Sequence, residues 1–260
     1  MAVRQMEPLD VARYRKIVVL TGAGISVASG IRPFRGPGGL WDEHPELAGK
    51  SNAAALARDA GEVWRVFGAS RSEVDRARPN AAHLAIAALE RRLSGRAEVT
   101  VVTQNIDGLH LRAGSQVVIE LHGRLCRTRC TDPQCRLEPF VDVAHRDDAV
   151  PTCPCCRAPL RPDIVLFDEP IPANVEWATK KALRDCDLFI AVGTSGTVSP
   201  ASNFVRSADY EGARTILVNL EPMTPRNPYF HEEILGPAED VLPALLGVGE
   251  EAGGAGSLSR

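Results

Sequence analysis

The sequence predicts an α/β fold, a doubly wound Rossmann-like parallel sheet that carries a second, smaller domain. Two observations lead to this prediction. Short apolar runs rich in β-branched residues alternate with helical patterns along the 260 residues, as is typical of strands buried on both faces of a parallel sheet. Two segments, 32–75 and 124–160, interrupt this alternation, and we interpret them as insertions that together build the smaller domain.

The apolar runs define the expected elements in chain order. Six runs are predicted strands: 16–20, 99–103, 117–120, 164–167, 188–192 and 215–219. Helical spacing predicts a helix over 82–93 behind the start signal Pro79-Asn80, and another over 174–184. The larger domain then comprises 1–31, 76–123 and 161–246, and the Gly/Ser/Glu-rich residues 247–260 are expected to form a disordered tail.

The composition restricts the possible partners. The formal net charge is −3 and there is no basic stripe, which argues against direct binding to nucleic acid. The apolar runs are too short to span a bilayer, and the first residues lack the apolar stretch of a secretory signal. The expected location is therefore the cytoplasm, with no membrane partner.

Ligands of doubly wound sheets bind at the carboxyl ends of the strands, and the first strand ends in the glycine-rich segment TGAGIS at 21–26. Glycines there allow the backbone to approach a pyrophosphate, although a tight strand–helix turn would explain them equally well. Val27 replaces the third glycine of the usual dinucleotide fingerprint, which counts against a hydride-transferring dehydrogenase. The loop GIRPFRG at 30–36 is either a cofactor cover or a surface turn.

Four other strands end in small or polar residues suited to a sugar or phosphate: QNIDGLH at 104–110, ELHG at 120–123, GTS at 193–195 and NLE at 219–221. His122 in ELHG could act as a general base, or it could simply pack at a strand end. His110 and His83 are predicted to be structural.

Six of the seven cysteines lie between Cys126 and Cys156, which indicates metal binding rather than disulfides. Cys130-x4-Cys135 and Cys153-x2-Cys156 are two close pairs separated by 17 residues, as tetrahedral zinc requires. Four thiolates would make a closed, structural site. The alternative ligands are Cys126 and Cys155, whereas Cys186 is predicted to pack in the core.

These motifs, together with RPDIVLFDE at 161–169, resemble those of the sirtuin family, in the family's order and over about residues 16–246. The resemblance implies an NAD-dependent protein-lysine deacylase with one structural Zn²⁺. NAD and an acylated lysine of a protein substrate would meet between the Rossmann-like domain and the zinc-binding and helical domain. The products would be nicotinamide, free lysine and O-acyl-ADP-ribose. Departures from the family pattern include Arg32, where a proline usually stands, and Asp168 in place of a glycine.

The resemblance also implies roles for individual residues. Catalysis is assigned to His122, Asn105 and Asp107. The cofactor-binding residues are Gly22, Ala23, Gly24, Ser26, Phe34, Arg35, Trp41, Gln104, Asn105, Ile106, Asp107, Gly193, Thr194, Ser195, Asn219, Leu220, Glu221 and Ala238. The substrate-binding residues are Phe67, Ser70, Val165, Phe167 and Glu169, with segment 164–169 pairing with the substrate backbone as an added strand.

The preferred acyl group is predicted from the stretch that follows Trp64. Family members that prefer succinyl and malonyl groups carry a tyrosine and an arginine where this chain has Phe67 and Ser70. Without both polar contacts an acyl carboxylate lacks partners, so acetyl is the expected group. Alternatives are a desuccinylase or demalonylase that uses Arg71, a protein ADP-ribosyltransferase, a dehydrogenase, and a non-catalytic zinc-stabilised binding module.

Overall fold

The computed structural model describes residues 6–35, 38–144 and 150–248, and it contains two sheets. The strands are β1 Lys16–Thr21, β2 Glu98–Thr103, β3 Val118–Glu120, β4 Gly123–Cys130, β5 Phe140–Val141, β6 Leu160–Ile164, β7 Leu188–Val192, β8 Arg214–Asn219 and β9 Glu232–Leu235. The helices are α1 Leu40–Glu43, α2 Pro45–Ala48, α3 Ala53–Arg58, α4 Ala60–Arg76, α5 Ala81–Leu93, α6 Leu109–Ala113, α7 Ala173–Leu183, α8 Phe204–Tyr210 and α9 Ala238–Leu246. The predicted tail lies outside the described residues from 249 onward.

The larger sheet is parallel and has six strands in the order β3-β2-β1-β7-β8-β9. Its central strand β1 is buried on both faces: Ile17 and Val19 face one apolar cluster, and Val18 and Leu20 face the other. This alternation follows from the two-residue period of a strand. Helices α5 and α9 cover the first face, and α7 and α8 cover the second.

The sequence predicted five of these strands to within one residue and mistook a sixth. Segment 164–167 was expected in the parallel sheet, but only Ile164 is in a strand, at the end of β6, which pairs antiparallel with β4 in a three-stranded sheet β5-β4-β6. An apolar run alone does not reveal its partner strand. Here the ladder ends because the Leu166 amide donates to the Glu169 carboxylate within a turn.

Strand β9 was not predicted. It is the edge strand beside β8, and it begins with Glu232 and Glu233, both half-buried. Edge strands tolerate charged residues, so they lack the apolar signature of central strands. The predicted helices over 82–93 and 174–184 are confirmed as α5 and α7. No helix within the described ranges has the length and apolar character needed to cross a membrane.

The smaller layer of the molecule joins α1–α4 to the antiparallel sheet. Trp64 of α4 donates its indole N–H to the Leu160 carbonyl at 2.8 Å, and buried Arg71 donates to the Leu125 carbonyl at 2.8 Å. An apolar cluster around Val63 and Phe67 fills the space between the helices and the sheet. Helix α4 is therefore fixed against β4 and β6. One of its faces lines the pocket described below, at the carboxyl edge of the large sheet.

Candidate active site

The candidate site lies where the strand order reverses, between the carboxyl ends of β1 and β7. The two loops that leave these strands touch: the Gly24 amide donates to the Gly193 carbonyl at 2.9 Å. A Cβ added to Gly24 would lie 2.7 Å from the Gly193 Cα, and Gly193 itself has φ +61°. Glycine is thus required at these positions by loop packing alone, whatever contact they make with a ligand.

A buried polar cluster connects the ends of β1 and β2. The Asn105 side-chain amide donates to the Gly22 carbonyl at 3.0 Å and to Ser26 Oγ at 3.2 Å. Ser26 Oγ in turn donates to Asp107 Oδ2 at 2.7 Å, and the Leu109 amide donates to Asp107 Oδ1 at 2.9 Å. Burial raises the pKa of Asp107, and these two donated hydrogen bonds oppose that rise. The cluster fixes the side chains that the sequence predicted around the ribose and the nicotinamide.

His122 follows β3 and is oriented by the chain itself. Its Nδ1 lies 2.8 Å from the Gln104 carbonyl oxygen. Because a carbonyl can only accept, Nδ1 carries the proton and Nε2 keeps its lone pair. Burial lowers the pKa of His122, and the hydrogen bond to Gln104 partly offsets this effect. The imidazole is therefore neutral near pH 7, with Nε2 as an available base.

The glycine of ELHG explains how His122 reaches the second sheet. Gly123 has φ +78°, and a Cβ there would lie 2.2 Å from the Asp163 carbonyl oxygen. Only glycine allows β4 to approach β6 this closely. The Val165 amide then donates to the His122 carbonyl at 2.9 Å. The candidate base is thereby joined directly to the segment predicted to hold substrate.

His110 differs from His122 in burial and environment, and its predicted structural role agrees with its contacts. It is 1% exposed, and its Nε2 lies 2.9 Å from Thr21 Oγ1. Its ring packs 4.8 Å from the ring of His83, which is fully buried and whose Nδ1 accepts from the Asn80 amide. Burial lowers the pKa of His83 to about 4 and that of His110 to about 3.

This histidine pair predicts acid-sensitive stability. Below pH 6.5 the unfolded chain binds protons that the folded chain excludes, so the free energy of unfolding falls as pH falls toward 4. The expected loss at about pH 5 is about 2 kcal/mol for each histidine. We expect the free energy of unfolding of His83→Gln, measured in urea, to fall by about 2 kcal/mol less between about pH 7.5 and about pH 5 than that of the wild type. His44→Gln, at an exposed position, should keep the wild-type difference.

A pocket lies beside the polar cluster, between the large sheet and the small helical layer. Its walls come from the loop after β1, from the loop 31–34, from α4 and from the segment after β2. The lining residues are Ala23, Ser26, Ile31, Arg32, Phe34, Leu40, Ser70, Glu73, Val74, Asn105, Ile106, Asp107 and Leu125. Residues predicted for the cofactor and for the acyl group therefore share one cavity.

The loops after β7 and β8 are joined to each other at the same edge of the sheet. The Thr194 amide donates to Asn219 Oδ1 at 3.1 Å, and Asn219 Nδ2 donates to the Thr194 carbonyl at 3.0 Å. Gln104 Nε2 adds a bond to Thr194 Oγ1 at 3.0 Å. The remaining residues predicted at the phosphate and adenosine end are also at this edge: Ser195, Leu220 and Glu221, all exposed, and Ala238, buried at the start of α9.

The loop that precedes α1 is anchored by aromatic stacking. The ring of Phe34 lies 5.3 Å from the ring of buried Trp41 and nearly parallel to it, and Trp41 meets Phe167 edge-on at 5.9 Å. Arg35 is exposed, and Gly36 lies outside the described residues. Phe34 and Trp41 therefore connect the predicted cofactor loop to the predicted substrate segment.

Within that substrate segment, Glu169 has partners in its own chain. Arg161 makes two hydrogen bonds to its carboxylate, at 2.5 and 2.9 Å, and the Leu166 amide makes a third at 2.8 Å. Burial alone would raise the pKa of Glu169, but these donors hold it below its usual value. Glu169 therefore shapes the turn from inside the chain, and a direct substrate contact of its carboxylate is not what this geometry favours. No motif in the sequence indicated that Arg161 would pair with Glu169.

The backbone of Phe167 is also used within the chain. Its amide donates to the Ser51 carbonyl at 3.0 Å, and its carbonyl accepts from the Ala53 amide at 3.1 Å. Because the Val165 amide also donates to the His122 carbonyl, an added substrate strand would have to use the backbone groups of this segment that neither set of bonds occupies. The Phe167 ring is 38% exposed and remains accessible to a substrate.

The predicted acyl-group residues have different surroundings. Phe67 is buried in the apolar cluster of the small layer and does not line the pocket, whereas Ser70 does. Arg71 is 4% exposed, and its guanidinium donates to the carbonyls of Leu125 and Asp142. The alternative in which Arg71 binds an acyl carboxylate would require breaking these buried bonds, which is costly.

The four preferred cysteines meet at the far end of the small sheet. The Sγ atoms of Cys130, Cys135, Cys153 and Cys156 all lie within 4.8 Å of one another. The closest pairs are Cys130 with Cys156 at 3.4 Å and Cys135 with Cys153 at 3.5 Å. A tetrahedral zinc with bonds of about 2.3 Å places its sulfur atoms about 3.8 Å apart, so the cluster fits this ion. The two alternative ligands and Cys186 are outside the cluster.

The model of the Sir2 family matches residues 22–200, which include both glycine loops, His122 and all four clustered cysteines. The chain belongs to the Sir2 family. The resemblance to sirtuins and the predicted fold class are thereby confirmed, since the described sheets and the cysteine cluster also agree with Sir2 structures.

Among curated Sir2-family relatives, a Vibrio cholerae protein named NAD-dependent protein deacylase is 42% identical over 238 residues, covering 90% of this chain and 92% of its own. A Salmonella typhimurium protein of the same name is 44% identical, covering 89% and 82%. A solved Sir2 homolog–NAD complex matches with TM-score 0.80 and 36% identity over 91% of this chain and 90% of that one. A Sir2–p53 peptide–NAD+ complex matches with TM-score 0.76 and 30% identity over 89% and 92%.

Proposed function

We propose that this chain is an NAD-dependent protein deacylase that releases acyl groups from lysine side chains as O-acyl-ADP-ribose, with nicotinamide as the other product. The observation that carries the proposal is His122. Its Nδ1 proton is held by the carbonyl of Gln104, the residue that precedes Asn105 in the chain, and this bond leaves Nε2 with its lone pair. Family membership supports the same activity.

When bound, NAD would supply an electrophilic ribose carbon, to which the acyl oxygen of the substrate lysine would bond as nicotinamide leaves. The chain's own residues bind and orient. Asn105, Asp107 and Ser26 hold the nicotinamide ribose and carboxamide, and Phe34 covers them. The joined loops at Thr194 and Asn219 hold the phosphate and adenosine end. His122 Nε2 takes a proton from a ribose hydroxyl, which requires the neutral imidazole that its environment maintains.

The zinc is proposed to be structural. Four thiolates complete the tetrahedral coordination of the zinc ion, which leaves no open position for substrate or water. Cys130, Cys135, Cys153 and Cys156 would each supply one bond.

The decisive experiment for the activity incubates the protein with NAD and an acetyl-lysine peptide and identifies all products by mass spectrometry. Nicotinamide, free lysine and O-acetyl-ADP-ribose are expected together. Peptide that gains ADP-ribose and keeps its acetyl group would identify a transferase instead. Reduced nicotinamide cofactor would identify a dehydrogenase.

The acyl preference is a separate prediction. Because Ser70 stands in the pocket wall, Arg71 is held by two backbone carbonyls and Arg32 is paired with Glu43, a succinyl carboxylate would lie in the pocket without a free cationic partner. We expect kcat/KM for acetyl-lysine to exceed that for succinyl-lysine on the same peptide by about tenfold or more, near 1.4 kcal/mol. A preference for succinyl of that size would show that an arginine does pair with the acyl carboxylate.

A further inference from the structure

The turn 166–169, at the end of the predicted substrate segment, directs two side chains inward and two outward. Leu166 is buried in the apolar cluster of the small layer, and the Glu169 carboxylate is held inward by its bonds to Arg161. Between them, the Phe167 ring is partly exposed and Asp168 is exposed. The Asp168 side chain therefore points to solvent, on the outer side of the segment that is predicted to hold the substrate.

The Asp168 carboxylate has no counter-charge in the protein. Across residues 6–35, 38–144 and 150–248 it forms no hydrogen bond or ion pair. The other carboxylate of the turn, that of Glu169, is neutralised by Arg161 at 2.5 Å. Lys50, exposed in the loop that bonds to the Phe167 backbone, is not paired with Asp168. The turn thus presents one negative charge that is free to meet a cation of the substrate.

The backbone at Asp168 is strained, with φ +65°. Glycine adopts this left-handed conformation freely, whereas other residues adopt it at a cost that aspartate and asparagine tolerate best. The sirtuin pattern has a glycine at this position, so this chain carries a carboxylate where a less strained residue would fit. Strain of this kind is typical of positions whose side chain has a function.

We propose that Asp168 makes the enzyme select acylated lysines that have an arginine or a lysine as an immediate neighbour in the substrate chain. The inference rests on the proposed deacylase function and names a class of protein substrate. Successive side chains of an extended peptide point in opposite directions, so the neighbours of the acyl-lysine point out of the cleft, as Asp168 does. A cationic neighbour is attracted to the carboxylate, and an acidic neighbour is repelled.

The test compares kcat/KM on acetyl-lysine peptides that carry arginine or glutamate, first at the position before the acetyl-lysine and then at the position after it. At one of these positions we expect the wild type to prefer arginine by about fivefold at low salt, the range of a charge pair in water. The preference should diminish between about 10 mM and about 1 M salt, because the Debye length falls from about 30 Å to about 3 Å. Because each ratio is formed within one variant, the fraction of folded enzyme cancels.

Three substitutions of Asp168 separate its charge from its backbone conformation. Asp168→Asn removes the charge and keeps a residue that tolerates positive φ, so the arginine-to-glutamate ratio should fall to about one. Asp168→Gly removes both the charge and the strain, and it should give the same ratio as Asp168→Asn. Asp168→Lys should reverse the preference, because it places a positive charge at the same site.

Asp185→Asn is the matched control. Asp185 is also exposed and has φ +57°, and it precedes β7, at the edge of the large sheet opposite to the candidate site. The same charge is therefore removed in the same backbone conformation, away from the substrate segment. The arginine-to-glutamate ratio of this variant should equal the wild-type ratio.

Three outcomes would overturn the inference while leaving the deacylase function in place. They are a wild-type ratio within about twofold of one at both positions, a ratio that Asp168→Asn leaves unchanged, and equal losses in Asp168→Asn and Asp185→Asn. A preference that Asp168→Asn and Asp168→Gly abolish, that Asp168→Lys reverses and that salt weakens supports it. Absence of NAD-dependent deacylation on every peptide would instead remove the proposed function itself, and this inference with it.

Discussion

His122→Ala is expected to lower kcat/KM for deacylation by about 10²- to 10⁴-fold or more, the usual cost of losing a general base. The protein should still fold and bind NAD, because His122 is half-buried and the polar cluster around Asn105 does not depend on its ring. The measurements are steady-state kinetics on an acetyl-lysine peptide, NAD titration by calorimetry, and thermal unfolding.

The control variant is His122→Asn. Its side-chain amide can still donate to the Gln104 carbonyl, but it offers no basic nitrogen where Nε2 stood. Loss of turnover equal to that of the alanine variant would show that the base matters rather than the hydrogen bond to Gln104. Near-normal turnover in either variant would remove His122 from the proposed mechanism.

The pH dependence of the deacylation rate tests the role of His122 in a second way. Burial lowers the pKa of His122, and the base acts only when it is deprotonated. The wild-type rate should therefore fall on the acid side at a pH below 6.5, the ordinary value for histidine. If a group of the polar cluster titrated instead, the fall in rate on the acid side would persist in the residual activity of His122→Asn.

Features encoded by local pattern were predictable from the sequence. The central strands carry two faces of apolar residues, so β1, β2, β7 and β8 could be identified without their partners. The cysteine pairs have the spacing that zinc requires, and the structure brings the preferred four together and leaves Cys155 out. The ELHG motif contains His122 and Gly123, and Gly123 is the residue that allows β4 to approach β6 closely.

Features that depend on distant contacts were not predictable. Arg71 looked available for a substrate, yet it is used by carbonyls 54 and 71 residues away. Glu169 looked like a substrate residue, but Arg161 occupies its carboxylate. The position of Glu73 in a cavity wall depends on the rotation of α4 against the sheets, which its own sequence does not fix. Each case needs the tertiary partner, and no pattern within a short window supplies it.

Cys153→Ser is expected to lose the zinc and destabilise the small sheet. Metal binding and folding are coupled in such sites, where a structural zinc contributes about 10–16 kcal/mol of apparent binding free energy in isolated zinc-finger peptides. Cys153 is fully buried beside Cys130 and Leu160, so an unsatisfied hydroxyl there adds to the loss. Metal analysis should find one zinc per chain in the wild type and much less in the variant, with a lower thermal midpoint.

Cys155→Ser is the matched control, since Cys155 is exposed, two residues away, and outside the cluster. It should keep one zinc and the wild-type midpoint. Cys156→Ser should behave like Cys153→Ser, because Cys156 Sγ lies 3.4 Å from Cys130 Sγ. Full zinc in Cys153→Ser together with loss in Cys155→Ser would mean that the ligand set is different.

Activity should fall with the zinc although none of the four cysteines is near the pocket. Strand β4 runs from Gly123, next to the base, to Cys130 in the cluster, and β6 returns from Leu160 to Ile164. The residue after β6, Val165, donates its amide to the His122 carbonyl. The cluster and the base therefore lie at opposite ends of one antiparallel pair. Loosening the pair at the zinc end should shift the His122 backbone, so we expect kcat to fall in the cysteine variants while NAD binding to the parallel sheet is largely retained.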